Sequence, residues 1–136
     1  MSVKVDQFCD KLRDRLNALE GRFESFKAQM ESLSEEAEAA VRGKLEEVRS
    51  KLEAEKKHIE QTRANLKAMA QQKVAETREA IKEWQAKRET QKLKARADRA
   101  EVYAADAIAY AVAAIDRAEE AILDAAVARM DADAAH

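Results

Sequence analysis

The chain has almost no means of turning its backbone sharply: in 136 residues it holds no proline and only two glycines, Gly21 and Gly43. Strands joined by tight turns need Gly or Pro punctuation at short intervals, so the missing turn residues argue against a sheet. Charged residues make up 38% of the chain and aromatics 4%, the A/E/K/L/R bias of coiled coils and long helices. Many alanines and few aromatics give thin helices that touch along lines, without a thick core. A chain this charged also has the composition of a disordered one. The regular spacing of its apolar residues decides for helix.

That spacing begins near Val5 and runs through Phe8, Leu12, Leu16, Leu19, Phe23, Phe26, Met30 and Leu33, mostly in alternating steps of three and four. This is the a/d rhythm of a coiled-coil seam. Ser32 followed three residues later by Glu35 matches a capping box, and Ser34 precedes the acids Glu35 and Glu36, which suit a first helical turn. A helix break is therefore expected near residues 31–34. The second stripe runs Ala37, Val41, Leu45, Val48, Leu52, Ile59, Leu66 and Met69, then less cleanly Val74, Thr77, Ile81 and Trp84. Its opening pair of four-residue steps is a stutter that locally unwinds a supercoil. Glu38–Arg42, Glu47–Lys51, Glu53–Lys57 and Glu83–Lys87 are opposite charges in the favoured i,i+4 direction, worth a few tenths of a kcal/mol each.

From residue 85 to 101 the seam weakens to Leu93 and small alanines. The stretch reads either as an exposed helix or as the place where the chain turns back. No Gly or Asn marks a turn there, although Asp98 with Glu101 is able to cap a new helix. A single helix from 34 to 132 would be about 150 Å long. The third segment carries the stripe Ala97, Ala100, Ala104, Ile108, Ala111, Ile115, Ala118, Ile122 and Ala125. Alanine is the strongest helix former and lets backbones approach closely. The stripe is read as a tight helix–helix seam with isoleucine knobs.

Charge is unevenly placed. Residues 1–41 carry 6 basic and 9 acidic side chains, residues 42–101 carry 17 and 11, and residues 102–136 carry 2 and 7. A basic middle between acidic ends suits a chain folded back on itself. Lys82, Lys87, Arg88, Lys92, Lys94, Arg96 and Arg99 form the patch that would meet an anionic partner, though a solvated helix face is the simpler reading. Nucleic-acid domains show net basic charge and a motif, whereas this chain has a net charge of −2.

No constellation for catalysis emerges, and no enzyme, cofactor or small-molecule substrate is expected. Glu55 and His58 have the spacing of one half of a di-iron bundle site, which needs a second pair and two more glutamates. They lie in a charged run and read as surface. Cys9, the single cysteine, has no histidine within a helical turn and no intrachain partner. Two glycines leave no phosphate-cradling loop. The N-terminal residues lack the apolar run of a secretory signal. The apolar run from Val102 to Ile115 is cut by Asp106 and ended by Asp116 and Arg117, short of the roughly 20 residues of a membrane span. A cytoplasmic location is the default.

The expected fold is one all-α domain over residues 1–136: an elongated antiparallel helical coiled coil of two long helices or three segments, at 3–31, 34–92 and 98–132. The outer segments are expected to fold back along the two halves of the middle one. The expected role is a non-enzymatic scaffold or adaptor. It would self-associate, preferably as a dimer, or bind another helical protein. Its interface residues would be Phe8, Leu12, Leu16, Leu19, Phe23, Phe26, Met30, Leu45, Leu52, Ile59, Leu66, Met69, Ile81, Trp84, Ile108, Ala111, Ile115, Ala118 and Ile122. In being small, helical, Ala-rich and nearly free of Cys and Pro, the chain also resembles phasin-type granule proteins. That resemblance of composition transfers no site residues and implies an amphipathic coat on a granule or membrane surface. Interfacial helices prefer bulky apolar residues opposite Lys and Arg, and the third segment has alanine opposite acids.

Overall fold

The computed structural model describes residues 3–32, 34–73 and 75–135. Leu33 and Val74, two positions of the apolar stripes, lie outside the described residues. Four helices follow one another: α1 (Val3–Ser32), α2 (Glu35–Lys73), α3 (Arg78–Ala86) and α4 (Thr90–Ala134), with no strand among the described residues.

The first break falls where the serines place it. Ser34 is the cap, its Oγ accepting from the Ala37 N–H at 3.0 Å, with Glu35, Glu36 and Glu38 in the first turn of α2. The capping box from Ser32 is not used. Ser32 ends α1 and its Oγ donates to the Gln29 carbonyl at 2.9 Å.

The long middle helix expected to reach residue 92 is divided instead. It stops at Lys73, and Thr77, a position of the expected apolar stripe, caps α3 by accepting from the Ala80 N–H at 3.1 Å. A threonine hydroxyl that satisfies a free amide in an extended conformation competes with helix propagation. Nine residues later the chain turns back without glycine. The Glu89 N–H bonds the Trp84 carbonyl at 2.9 Å and the Arg88 N–H bonds the Gln85 carbonyl at 3.2 Å. Those two bonds are a Schellman closure, in which the residue at Arg88 takes the left-handed conformation; its φ is 53°. Asp98 and Glu101, which had the spacing of a helix start, lie inside α4.

Ion pairs fix the helix directions. Along α2 the numbers rise through Arg42, Arg49 and Lys51 while their α4 partners fall through Asp131, Asp124 and Asp116, so the two helices are antiparallel. Lys4–Glu101 and Arg22–Glu119 have the same offset, so α1 lies parallel to α4. The main packing is α2 on α4; α1 packs on both and α3 on α4. The outer segments therefore do not take separate halves of the middle one. They meet on the same half of α2, around Val41, Leu45, Val48 and Leu123, with Phe26, Met30, Leu52 and Val127 at the edge. No residue of α1 is fully buried among those described.

Leu123 defines the rotation of α4. It is 3% exposed, while Ile122, one residue earlier, is 42% exposed. A step of one residue turns a helix by about 100°. Leu123→Ala is expected to cost about 2–4 kcal/mol in urea unfolding, and Ile122→Ala under about 1 kcal/mol; the reverse order would mean that α4 is turned the other way. A left-handed non-glycine residue costs roughly 1–2 kcal/mol, more than the entropy that glycine adds to the unfolded chain. Arg88→Gly is therefore expected to raise stability by about 0.5 kcal/mol, and a loss would show that the turn is not left-handed.

Candidate interaction surface

The inner face of α4 is not purely apolar. Ala113 and Leu123 are buried on it, and so are Asp116, 3% exposed, and Glu119, 5% exposed. Lys51 from α2 lies 3.2 Å from Asp116 Oδ2, and Arg22 from α1 lies 3.2 Å from Glu119 Oε2. Asp116 Oδ2 and Arg22 Nε make no hydrogen bond, so each pair has charge contact without full satisfaction of its polar atoms. A cleft of about 240 Å³ beside them is lined by Arg22, Lys44, Glu47, Val48, Lys51, Asp116 and Glu119. Three cations and three carboxylates line it together, which suits holding three helices in register more than holding one charged ligand.

The ladder continues outside the core. Arg49 reaches Asp124 at 2.8 Å and Glu120 at 3.3 Å, and its pKa is raised further, first by the hydrogen bond to Glu120. Arg42 pairs with Asp131. Of the expected i,i+4 pairs, Glu83–Lys87 forms, at 2.6 Å. The Glu83 carboxyl is held below its ordinary range, first by the hydrogen bond from Lys87 and then by that ammonium's charge. Being depressed, it stabilises the end of α3 at neutral pH, and that contribution is lost as pH falls through the carboxylate range. Lys51 turns away from Glu47 to meet the buried Asp116, and Arg42 turns from Glu38 to meet Asp131, which is itself exposed.

The basic patch is scattered rather than gathered. Lys82 is on α3, Lys87 and Arg88 are in the turn, and the rest open α4. Lys87, Lys92 and Arg99 are paired with Glu83, Glu89 and Glu76. Beside Arg96 and Arg99 an open groove of about 350 Å³ runs past Met69, Glu76 and Tyr103. Lys73 closes over the Tyr103 ring at 4.4 Å, which leaves Arg96 as the cation there without an acidic partner among the described residues. Glu55 is half-buried and His58 exposed on α2, and no group of three metal-ligating side chains occurs among the described residues. Cys9 is exposed on α1.

The interface residues expected from the sequence divide by position. Leu45 and Ile59 are buried. Phe8, Leu12, Leu19, Phe23, Phe26, Met30, Leu52, Leu66, Met69, Ile81, Trp84, Ile108 and Ile115 are half-buried; Leu16, Ala111, Ala118 and Ile122 are exposed. The exposed ones on α4 belong to a pattern of their own. From Ala97 to Ala132, alternate steps of three and four residues land on alanine every time, at eleven positions. Nine are exposed, and Ala104 and Ala107 are half-buried. This stripe lies on the side of the helix cylinder opposite Asp116 and Leu123. Ile122 and Tyr110, both large and exposed, border it. Sequence reasoning followed the larger isoleucines and so drew the stripe slightly off this line.

No helix among the described residues is long and apolar enough to cross a membrane. Comparison with protein-family models, with curated proteins and with solved structures gives no significant match.

A nearly buried carboxylate whose partner is half in water gains little from pairing, and apolar replacements of such pairs are often neutral or stabilising. The joint change Asp116→Leu with Lys51→Met is expected to raise the unfolding free energy by about 1 kcal/mol. A drop of similar size in urea melts would show that the Lys51 pair holds the three helices together.

Proposed function

We propose that this chain is a non-enzymatic helical scaffold that works by self-association, with the outer face of α4 as its contact surface. The observation that carries the reading is the placement of that face. α4 already spends one side on α2 and α1, and the side turned to solvent is a continuous apolar strip ordered at the coiled-coil period. A strip of this kind buries apolar area only when another helix lies along it. The balanced charges of the inner cleft and the scattered basic patch support neither a small-molecule site nor a nucleic-acid groove. A coat on a lipid or granule surface is the competing use of the same strip, and its small side chains and acidic flanks fit that use less well.

Size-exclusion light scattering of the wild-type chain across a range of concentrations is expected to show a defined oligomer. Ala118→Glu places a charge in the middle of the strip without touching the internal core. It is expected to keep the wild-type circular dichroism and to weaken association at least tenfold. A wild-type chain that stays monomeric but floats with liposomes or granules would replace this reading with the surface coat.

A further inference from the structure

Resting on the self-association just proposed, we infer that the occupant of the α4 outer face is the same face of a second copy, packed parallel and in register. The residues that flank the alanines select this arrangement. With alanines at the a and d positions, the positions before each a and after each d border the contact. In a parallel pair a g residue faces the e residue five positions on in the other helix. On α4 these contacts set Arg96 against Glu101 of the second copy and Asp124 against Arg129 of the second copy, each occurring twice by symmetry. Glu89 meets Lys94 in the same way where the helix begins, and Tyr103 and Tyr110 meet Ile108 and Ile115. No like-charge contact arises.

The antiparallel alternatives of comparable overlap do worse. The register that pairs Ala114 with Ala118 of the second copy gains Glu101–Arg129 but sets Arg117 against Arg117, and the next one along gains Arg96–Asp131 but sets Arg129 against Lys94. Registers free of such clashes along the strip overlap only from Ala107 to Ala132 or from Ala97 to Ala121. Like charges placed face to face select against an orientation even where opposite ones add little affinity.

The molecule leaves the two cations of these contacts available. Arg96 and Arg129 are exposed and have no acidic partner among the described residues. Glu101 already meets Lys4 at 3.5 Å and Asp124 meets Arg49 at 2.8 Å, but a carboxylate accepts from more than one cation. A face about 54 Å long and about 10 Å wide buries on the order of 500 Å² per copy. The total of about 1,000 Å² sits at the lower bound for a specific interface, so a dimer that dissociates on dilution is expected.

The test uses the full-length chain with Cys9→Ser and Ala114→Cys. In the parallel register the two introduced thiols are neighbours, and mild oxidation is expected to link most of the protein as a dimer. A second measurement keeps the orientation falsifiable. Arg129→Asp is expected to weaken dimerisation about tenfold with unchanged helicity, and the exchange Asp124→Arg with Arg129→Asp to restore it. An oligomer that forms normally while Ala114→Cys stays unlinked and Arg129→Asp changes nothing overturns the parallel α4 pair and leaves self-association standing. A chain that is monomeric at every concentration overturns both.

Discussion

The seating of Leu123 among Val41, Leu45 and Val48 is the contact on which the rest of the molecule depends. It is the level at which α1, α2 and α4 all meet, and the apolar residues along the rest of the bundle are mostly half-buried. A helix is a rigid cylinder, so fixing the rotation of α4 at one level fixes it along its whole length. With Leu123 inward, Asp116 and Glu119 must also be inward, where they meet Lys51 and Arg22. The same rotation turns the 3–4 alanine stripe outward, with nine of its eleven positions exposed. One packing choice therefore produces both the internal charge cluster and the external apolar strip.

A bundle with so thin a core draws on electrostatics for its directions. The acidic C-terminal third meets cations from both other long helices, through Arg42, Arg49 and Lys51 on one side and Arg22 on the other. Such half-exposed pairs each contribute little. Their value lies in the arrangements they disfavour: sliding α4 by a turn along α2 would bring those acids away from the cations and leave Asp116 buried without a counter-charge, which is costly. The small apolar core supplies the attraction, and the ladder selects the register.

Much of this was legible in the sequence, and the failures have physical causes. The helical class follows from the absence of turn residues. The break before α2 is written in Ser34 and the acids behind it, and the folding back is written in the charge division between the middle and the C-terminal third. The α2–α3 break was not legible, because a threonine at an apolar phase reads as a seam position until its hydroxyl is seen holding the Ala80 amide. The turn at Arg88 was hidden for a similar reason. A Schellman closure normally announces itself by glycine, and here the backbone adopts it with arginine. The inner face of α4 was the least legible part. Its inner stripe is interrupted by Asp116 and Glu119, so counting apolar residues favours the uninterrupted stripe outside. Which acids are paired across helices is a tertiary fact that no local count contains.

The alanine strip also bears on why the outer face is built as it is. A solvated helix face tolerates alanine anywhere, and on a straight helix it has no reason to keep a repeat of seven. An unsupercoiled stripe drifts by about 20° per heptad relative to that repeat. Holding alanine at every a and d position from Ala97 to Ala132 is a condition that matters when a second helix follows the same path. Larger residues at those positions would hold a neighbouring helix farther away and move the flanking Arg96, Glu101, Asp124 and Arg129 out of each other's reach. Small side chains in the seam and charged ones beside it thus belong to one device on the proposed dimer: the first sets how close two α4 helices come, and that closeness is what lets the second choose their direction.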